Sequence, residues 1–159
     1  MIIINQPLTK EEIVKKGGEL LNTYWEETPL YKHIPFYKES SEEFVESFFA
    51  DYSGYLELNV APTGEARGMI AAIVTGAFFN SSCQVLENIL TYVAPKYRGG
   101  MVGPKMIKNM IAWGEHKGAK HAHISTISGI GSGRTTQLYE KLGFTIVGST
   151  ASMPLGEQL

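Results

Sequence analysis

Apolar residues recur along this chain at two spacings, and the switches between them predict its elements. Ile2, Ile3 and Ile4 make a short strand-like run. Thr9 with Glu12 has the spacing of a capping box, and the helix it opens carries Ile13, Val14, Leu20 and Leu21. Gly17 and Gly18 weaken that helix by roughly 1 kcal/mol each relative to Ala, so a kink or break is expected there. From Tyr24 to Tyr37 the prolines Pro29 and Pro35, with Trp25, Tyr31 and Phe36, read as an aromatic loop. Ser40 with Glu43 then predicts the cap of a second helix bearing Phe44, Val45, Phe48 and Phe49.

Three strand-like runs follow: Tyr55 to Val60, Gly68 to Phe79, and Gln84 to Val93. The turn-forming clusters Pro62-Thr63-Gly64 and Asn80-Ser81-Ser82 separate them, and such short loops imply an antiparallel meander. Met106, Ile107, Met110, Ile111 and Gly114 recur at helical spacing, which predicts a helix over 104–117 with Pro104 in its first turn. A helical crossover places the next strand, 122–128, parallel to the third run, with a ligand beyond the carboxyl ends of that pair. Residues 128–134, SGIGSGR, read as a flexible entry to a helix capped by Ser132. That helix ends at Leu142, with Gly143 at the left-handed position and Phe144 folding back. A last strand is expected from Thr145 through Val147 to Met153, with 154–159 frayed. The pattern describes one α/β domain over 1–159, an α+β mixed sheet of about six or seven strands with about four helices.

The chain has 159 residues, 43% of them hydrophobic, which is enough for an ordinary soluble core. The apolar run at the N-terminus is too short for a signal peptide, and no segment approaches the roughly 18 apolar residues of a membrane span. The single cysteine, Cys83, excludes an intramolecular disulfide, and a cytoplasmic location fits both facts. The net charge of −2 makes nucleic acid an unexpected partner. Its distribution is more informative. Residues 1–60 hold five Lys against eleven acidic residues, whereas 93–120 hold Lys96, Arg98, Lys105, Lys108, Lys117 and Lys120 against Glu115 alone. Positive charge therefore collects where a ligand with several phosphates would suit it, and the acidic first part favours a cationic acceptor or is simply a solvated helix face.

The basic stretch contains Gly99, Gly100 and Gly103 between a strand and a helix. Glycines let backbone approach a ligand closely, and a helix start presents unpaired N–H groups and the positive end of its dipole, so the turn is an anion site. It is not a P-loop, because Pro104, Lys105 and Met106 follow Gly103 where Lys and Ser or Thr are required. Nor is SGIGSGR a dinucleotide fingerprint, since Arg134 stands at its last glycine. His116, His121 and His123 do not make a metal set, because only His121 and His123 share a strand face and no Cys or carboxylate lies at ligand spacing.

Read together with LYEKLGF at 138–144, the stretch from Val93 through Pro95, Tyr97, Arg98 and Gly99 resembles the Gcn5-related N-acetyltransferase superfamily. Its loop signature is matched at Arg98 and Gly103, while Met101 stands at the middle glycine and Gly100 offers similar freedom one place earlier. The resemblance covers about residues 83–148 and implies that fold, acetyl-CoA as cosubstrate, no metal, and transfer of an acetyl group to a primary amine of a small molecule or protein. It implies pyrophosphate binding by the backbone of Arg98, Gly99, Gly100, Met101, Val102 and Gly103, with Lys105 as a side-chain contact. Ser132 stands where the family usually has an Asn that binds the pantetheine or opens the helix. Oxyanion stabilisation falls to backbone near Tyr92 or Val93, where the parallel strands splay.

Acetyl transfer to an amine also needs a proton acceptor for the nucleophile and a proton donor for the thiolate. Tyr139 matches the tyrosine that protonates the CoA sulfur, and a phenol with pKa near ~10 suits a thiolate of similar basicity. Glu87, in an otherwise apolar strand, is the candidate base, perturbed by partial burial. The alternatives are a Tyr139 packed on its helix face and a Glu87 in a structural ion pair. At the level of the whole chain, the rivals are a catalytically silent binding or assembly module of the same fold and an unrelated phosphoanion-binding regulator. A homodimer is compatible with every one of these.

Overall fold

The computed structural model describes residues 1–126, 129–148 and 150–153. Its elements in chain order are β1 (Ile2–Ile4), α1 (Lys10–Glu27), α2 (Lys38–Ser47), β2 (Gly54–Val60), β3 (Ala66–Ala77), β4 (Asn80–Val93), α3 (Val102–His116), β5 (His121–His123) and α4 (Ser132–Lys141). The five strands form one sheet in sequential order. β1 pairs parallel to β2, β2–β3–β4 are the expected antiparallel meander, and β4 pairs parallel to β5 across the α3 crossover. No helix among the described residues is long and apolar enough to cross a membrane.

Strand alternation divides the core into two layers. Leu56, Leu58, Val60, Met69 and Ala71 face α1 and α2, where they pack with Ile13, Leu20, Val45 and Phe48. Tyr55, Ile70, Ala72 and Leu86 face the other way, against Met106, Ile107, Met110 and Trp113 of α3 and Tyr139 of α4. The reversal at Gly143 is as expected: its φ is +95°, and Phe144 N–H donates to Tyr139 O at 3.0 Å.

Several local expectations are corrected. The Thr9–Glu12 capping box forms, but α1 then runs unbroken past Gly17 and Gly18. Those glycines are where α2 crosses: a Cβ on Gly17 would meet Val45 Cγ2 at 2.7 Å, and one on Gly18 would meet Glu42 Cγ at 2.9 Å. Close packing between helices explains them, and it offsets their poor helix propensity. α2 starts at Lys38 behind Tyr37 with no side-chain cap, so Ser40 and Glu43 lie inside the helix. The β3–β4 turn falls on Phe78 and Phe79, because Ala77 pairs with Asn80, and Asn80-Ser81-Ser82 belongs to β4.

β5 is only His121–His123, shorter than the expected 122–128, of which residues 127 and 128 lie outside the described residues. α4 begins at Ser132 behind Gly131 in the left-handed region at φ +56°, so Ser132 is its first helical residue and not its cap. Residues 145–148 and 150–153 form no strand, which leaves five strands among the described residues rather than six or seven. The expectation of fraying at 154–159 also falls outside the described residues.

α3 lies close on β4 because Gly114 has no side chain. A Cβ there would meet Leu86 Cδ2 at 2.7 Å and Leu86 Cβ at 3.2 Å, and Leu86 is fully buried. Gly114→Ala should therefore destabilise the protein although Ala is the better helix former: overpacking of about 1–3 kcal/mol exceeds a propensity gain of roughly 1 kcal/mol. Thermal denaturation should show a lower Tm, and an unchanged or higher Tm would mean that Leu86 can move aside.

Candidate active site

β4 passes through a 3-10 turn, Pro95–Tyr97, into the glycine stretch and then α3. The left-handed step of this loop falls on Gly99, at φ +82°, where nothing within 4 Å would meet a Cβ. Met101 caps α3 at φ −89° and ψ −4°, a region open to any residue, and is 71% exposed. The departure from the signature at Met101 therefore imposes no backbone strain and does not fill the loop. Lys105 N–H closes the first helical bond onto Met101 O at 3.0 Å. The N–H groups of Gly99, Gly100, Met101, Val102 and Gly103 meet no acceptor among the described residues. They form a row of unpaired donors at the positive end of α3, and Lys105 stands exposed in its first turn.

Arg98 supplies backbone at the loop's start, but its side chain is committed elsewhere. Its Nε donates to Val93 O at 2.8 Å, and both terminal nitrogens grip the carboxylate of Glu27, the last residue of α1. Tyr92 OH donates to the same carboxylate at 2.7 Å, and Tyr24 packs edge-on to the Tyr92 ring at 5.3 Å. Arg98, with help from Tyr92, holds the Glu27 carboxyl below the usual carboxylate range. This anchor ties the anion loop to the end of the first helix. Lys96 is likewise occupied, 3.0 Å from Glu65.

Beside the loop the sheet opens into a fork. β4 and β5 pair over three rungs, ending at Glu87 and His123, after which β4 continues to Val93 without β5. A shift of register between Asn88 and Leu90 marks the same place, where Asn88 Nδ2 donates to Ala71 O and Leu90 O, both at 3.0 Å. Ala94 N–H points to β3, bonding Arg67 O at 2.9 Å, so alternation sends Tyr92 N–H the same way and Val93 N–H out into the fork. Of the two expected oxyanion donors, the backbone of Val93 is the one aimed at the opening; Tyr92 faces it only through the anchor on Glu27.

Glu87 and His123 share the last rung, with His123 Nδ1 and Glu87 Oε1 at 2.7 Å. Both side chains are open to solvent, at 53% for His123 and 40% for Glu87. Glu87 is thus a half-exposed carboxylate with an imidazole partner, the ion pair that was its alternative reading. Ala122 packs toward α3, so His121, His123 and Glu87 occupy the opposite face, beyond the cover of α1 and α2. Tyr139 lies on the α3–α4 face, 3% exposed, with its OH directed at Ser125 O at 3.4 Å, two residues past the last rung. Burial pushes its phenol up to about 12, so it is fully protonated at neutral pH. Ser132 is exposed in the first turn of the same helix. Among the described residues, no group of three or more His, Cys, Asp or Glu is arranged to hold a metal ion.

The profile of the acetyltransferase (GNAT) family matches residues 18–144. The chain belongs to that family. No curated protein sequence matches it. Among solved structures, this acetyltransferase is similar to glucosamine-6-phosphate N-acetyltransferase from Arabidopsis thaliana, at TM-score 0.71 and 14% identity over 94% of this chain and 96% of that one. It is also similar to AAC(6')-Iy in complex with a bisubstrate analogue, CoA-S-monomethyl-acetylneamine, at TM-score 0.68 and 17% identity over 89% of this chain and 90% of that one. A structure described as a transcriptional regulator from Bacillus halodurans C-125 reaches TM-score 0.72 at 14% identity, covering 94% and 97% of the two chains. Likeness at this level of identity is a statement about the fold.

Two residues at the site of this acetyltransferase escaped the sequence reading. Glu27 sits among other acidic residues of α1, and nothing in its spacing singles it out from a solvated helix face. His123 leaves a faint signal, a histidine two residues from another in a short strand, a pattern that raises only the question of a metal. The anchor around Glu27 leads to a pH-dependent expectation. Glu27→Gln should lower stability at neutral pH by about 1 kcal/mol. Because the native carboxyl is depressed, this contribution is present above the usual carboxylate range and disappears as the pH falls through the native value. Urea denaturation at neutral and acidic pH should show the variant and the parent converging in acid; a difference that persists there would assign the effect to packing instead.

Proposed function

We propose that the protein is an N-acetyltransferase that moves an acetyl group from acetyl-CoA to a primary amine of a small molecule or protein. The observation that carries this reading is the fork between β4 and β5. At its open end lie the unpaired N–H groups of residues 99–103; Glu87 and His123 flank it on one face and Tyr139 on the other. The row of donors suits the pyrophosphate of the cosubstrate, and Lys105 can reach a phosphate oxygen from the first turn of α3. Val93 N–H is directed where a thioester carbonyl would develop negative charge. The buried Tyr139 phenol keeps its proton at neutral pH and can give it to the departing thiolate. The polar pair on the uncovered face receives the amine. An amine entering there meets a carboxylate, and the acidic α1–α2 region beside it favours a cationic acceptor.

Calorimetric titration with acetyl-CoA tests the first half of the reading. Gly99→Val, which forces a branched side chain into a left-handed step, should weaken binding by on the order of tenfold or more. Equal affinity in the two proteins would move the cosubstrate away from the loop. Tyr139→Phe should leave that affinity intact and slow thiol release in the presence of an amine acceptor by about 10²–10⁴-fold. Full turnover in this variant would reduce Tyr139 to a packing residue.

A further inference from the structure

We propose that His123 is the catalytic base that takes the proton from the attacking amine, and that Glu87 is its positioning residue. This rests on the acetyltransferase reading above and assigns the proton within it. An ionised carboxylate has only acceptors, so the 2.7 Å contact requires His123 Nδ1 to carry the hydrogen and donate it to Glu87 Oε1. In the neutral ring Nε2 then keeps its lone pair, and among the described residues it meets no donor. Pairing at the last rung before the fork sets the ring at the point where the two strands part. The exposure of its side chain, 53%, leaves that nitrogen accessible from the face away from Tyr139.

Glu87 Oε1 already accepts from the imidazole, and that bond draws on the carboxylate's charge, so Glu87 Oε2 is the weaker acceptor beside a free imidazole nitrogen. The titratable groups beside His123 on this face are Glu87 of β4 and His121 of β5, whose ring meets that of His123 edge-on at 4.8 Å. His121 has no carboxylate partner among the described residues, so nothing sets its tautomer as Glu87 sets that of His123. A carboxylate that holds one imidazole nitrogen while the other handles a proton is a recurrent solution in acyl transfer on unrelated folds.

The step balances as follows. The amine nitrogen uses its lone pair to form the C–N bond, the carbonyl π pair moves onto oxygen, and an amine proton passes to His123 Nε2. The carbonyl re-forms as the C–S bond breaks, and sulfur leaves with its electron pair and takes the proton of Tyr139 OH. His123 releases its proton to solvent and Tyr139 regains one, so amine and thioester become amide and thiol. Acceptance and donation occur on opposite faces of the sheet, and the two protons never compete for one group.

The test is thiol release from acetyl-CoA with n-butylamine as probe acceptor, measured across pH for the parent, His123→Gln, Glu87→Gln and the double variant. Acetyl-CoA affinity is measured alongside by calorimetry. His123→Gln should lower kcat by about 10²–10⁴-fold with unchanged acetyl-CoA affinity and should remove the rise in rate with pH on the acidic side. Glu87→Gln should lower kcat by about 10–100-fold, and the double variant should match His123→Gln within about twofold, because the pair acts as a unit. Nitrogen NMR should report hydrogen on Nδ1 of His123 in the parent and its redistribution in Glu87→Gln, a readout that does not depend on turnover. If His123→Gln keeps the rate and the acidic limb while Glu87→Gln loses both, Glu87 is itself the base and the proposal is overturned. A parent protein that fails to bind acetyl-CoA would sink the acetyltransferase reading beneath it, a result distinguishable from loss of turnover with binding intact.

Discussion

The parallel pairing of β4 with β5 stops after three rungs, and the rest of the site depends on that limit. A strand whose partner ends early keeps an edge of unpaired backbone groups, which in water or in a core would be a liability. Here the edge is the stretch of β4 that runs on to Val93 without β5. It points Val93 N–H into the fork, and it leaves Glu87 and His123 on the last rung, free on one face. It also sets Tyr139 close behind Ser125 on the other. The register shift at Asn88, whose side chain supplies the hydrogen bonds the ladder loses, makes the bend that the opening requires.

Closely packed glycines hold this fork in place from both sides. Gly114 brings α3 onto Leu86 just before the last rung, and Gly17 brings α1 onto α2 at Val45. The two helical layers are in turn joined at one point by Arg98. One side chain links the start of the anion loop, the end of β4 through Val93 O, and the end of α1 through Glu27. The glycine loop and the end of the first helix are therefore mechanically connected. An Arg that sequence places in a phosphate signature acts here by fixing the path of the loop, and the unpaired donors are the backbone groups after it.

Electrostatics are divided in the same spirit. The basic stretch from 93 to 120 reads as a single field for a polyphosphate, but Lys96 and Arg98 are neutralised by Glu65 and Glu27. The positive character that remains at the loop itself comes from the helix start and from Lys105. On the far face, a carboxylate and an imidazole are held together at hydrogen-bond distance while both stay open to solvent. On the near face, a phenol is buried enough to stay protonated. The proposed proton acceptor and proton donor differ in environment before either meets a substrate.

Much of this was legible in the chain itself. The meander, the crossover, the Thr9 capping box, the left-handed Gly143 and the glycine turn between β4 and α3 all follow from rules that act over a few residues: alternation, helical spacing, caps and φ preferences. Where the reading failed, a long-range contact had overridden a local preference. Gly17 and Gly18 argue for a break until α2 is known to cross there, and Ser132 reads as a cap until Gly131 takes the left-handed step before it. Asn80 to Ser82 reads as a turn until pairing of Ala77 with Asn80 moves the turn onto two phenylalanines. Sequence by itself determined most of the elements, their order and the family, because those are written in local spacing and in a short motif. Only the tertiary structure decided that Arg98 reaches Glu27, that Glu87 meets His123, and that Tyr139 stands across the sheet from both. The first two pairs lie 71 and 36 residues apart along the chain, and Tyr139 lies 14 from the Ser125 carbonyl its hydroxyl meets; no local rule couples residues that only folding brings together.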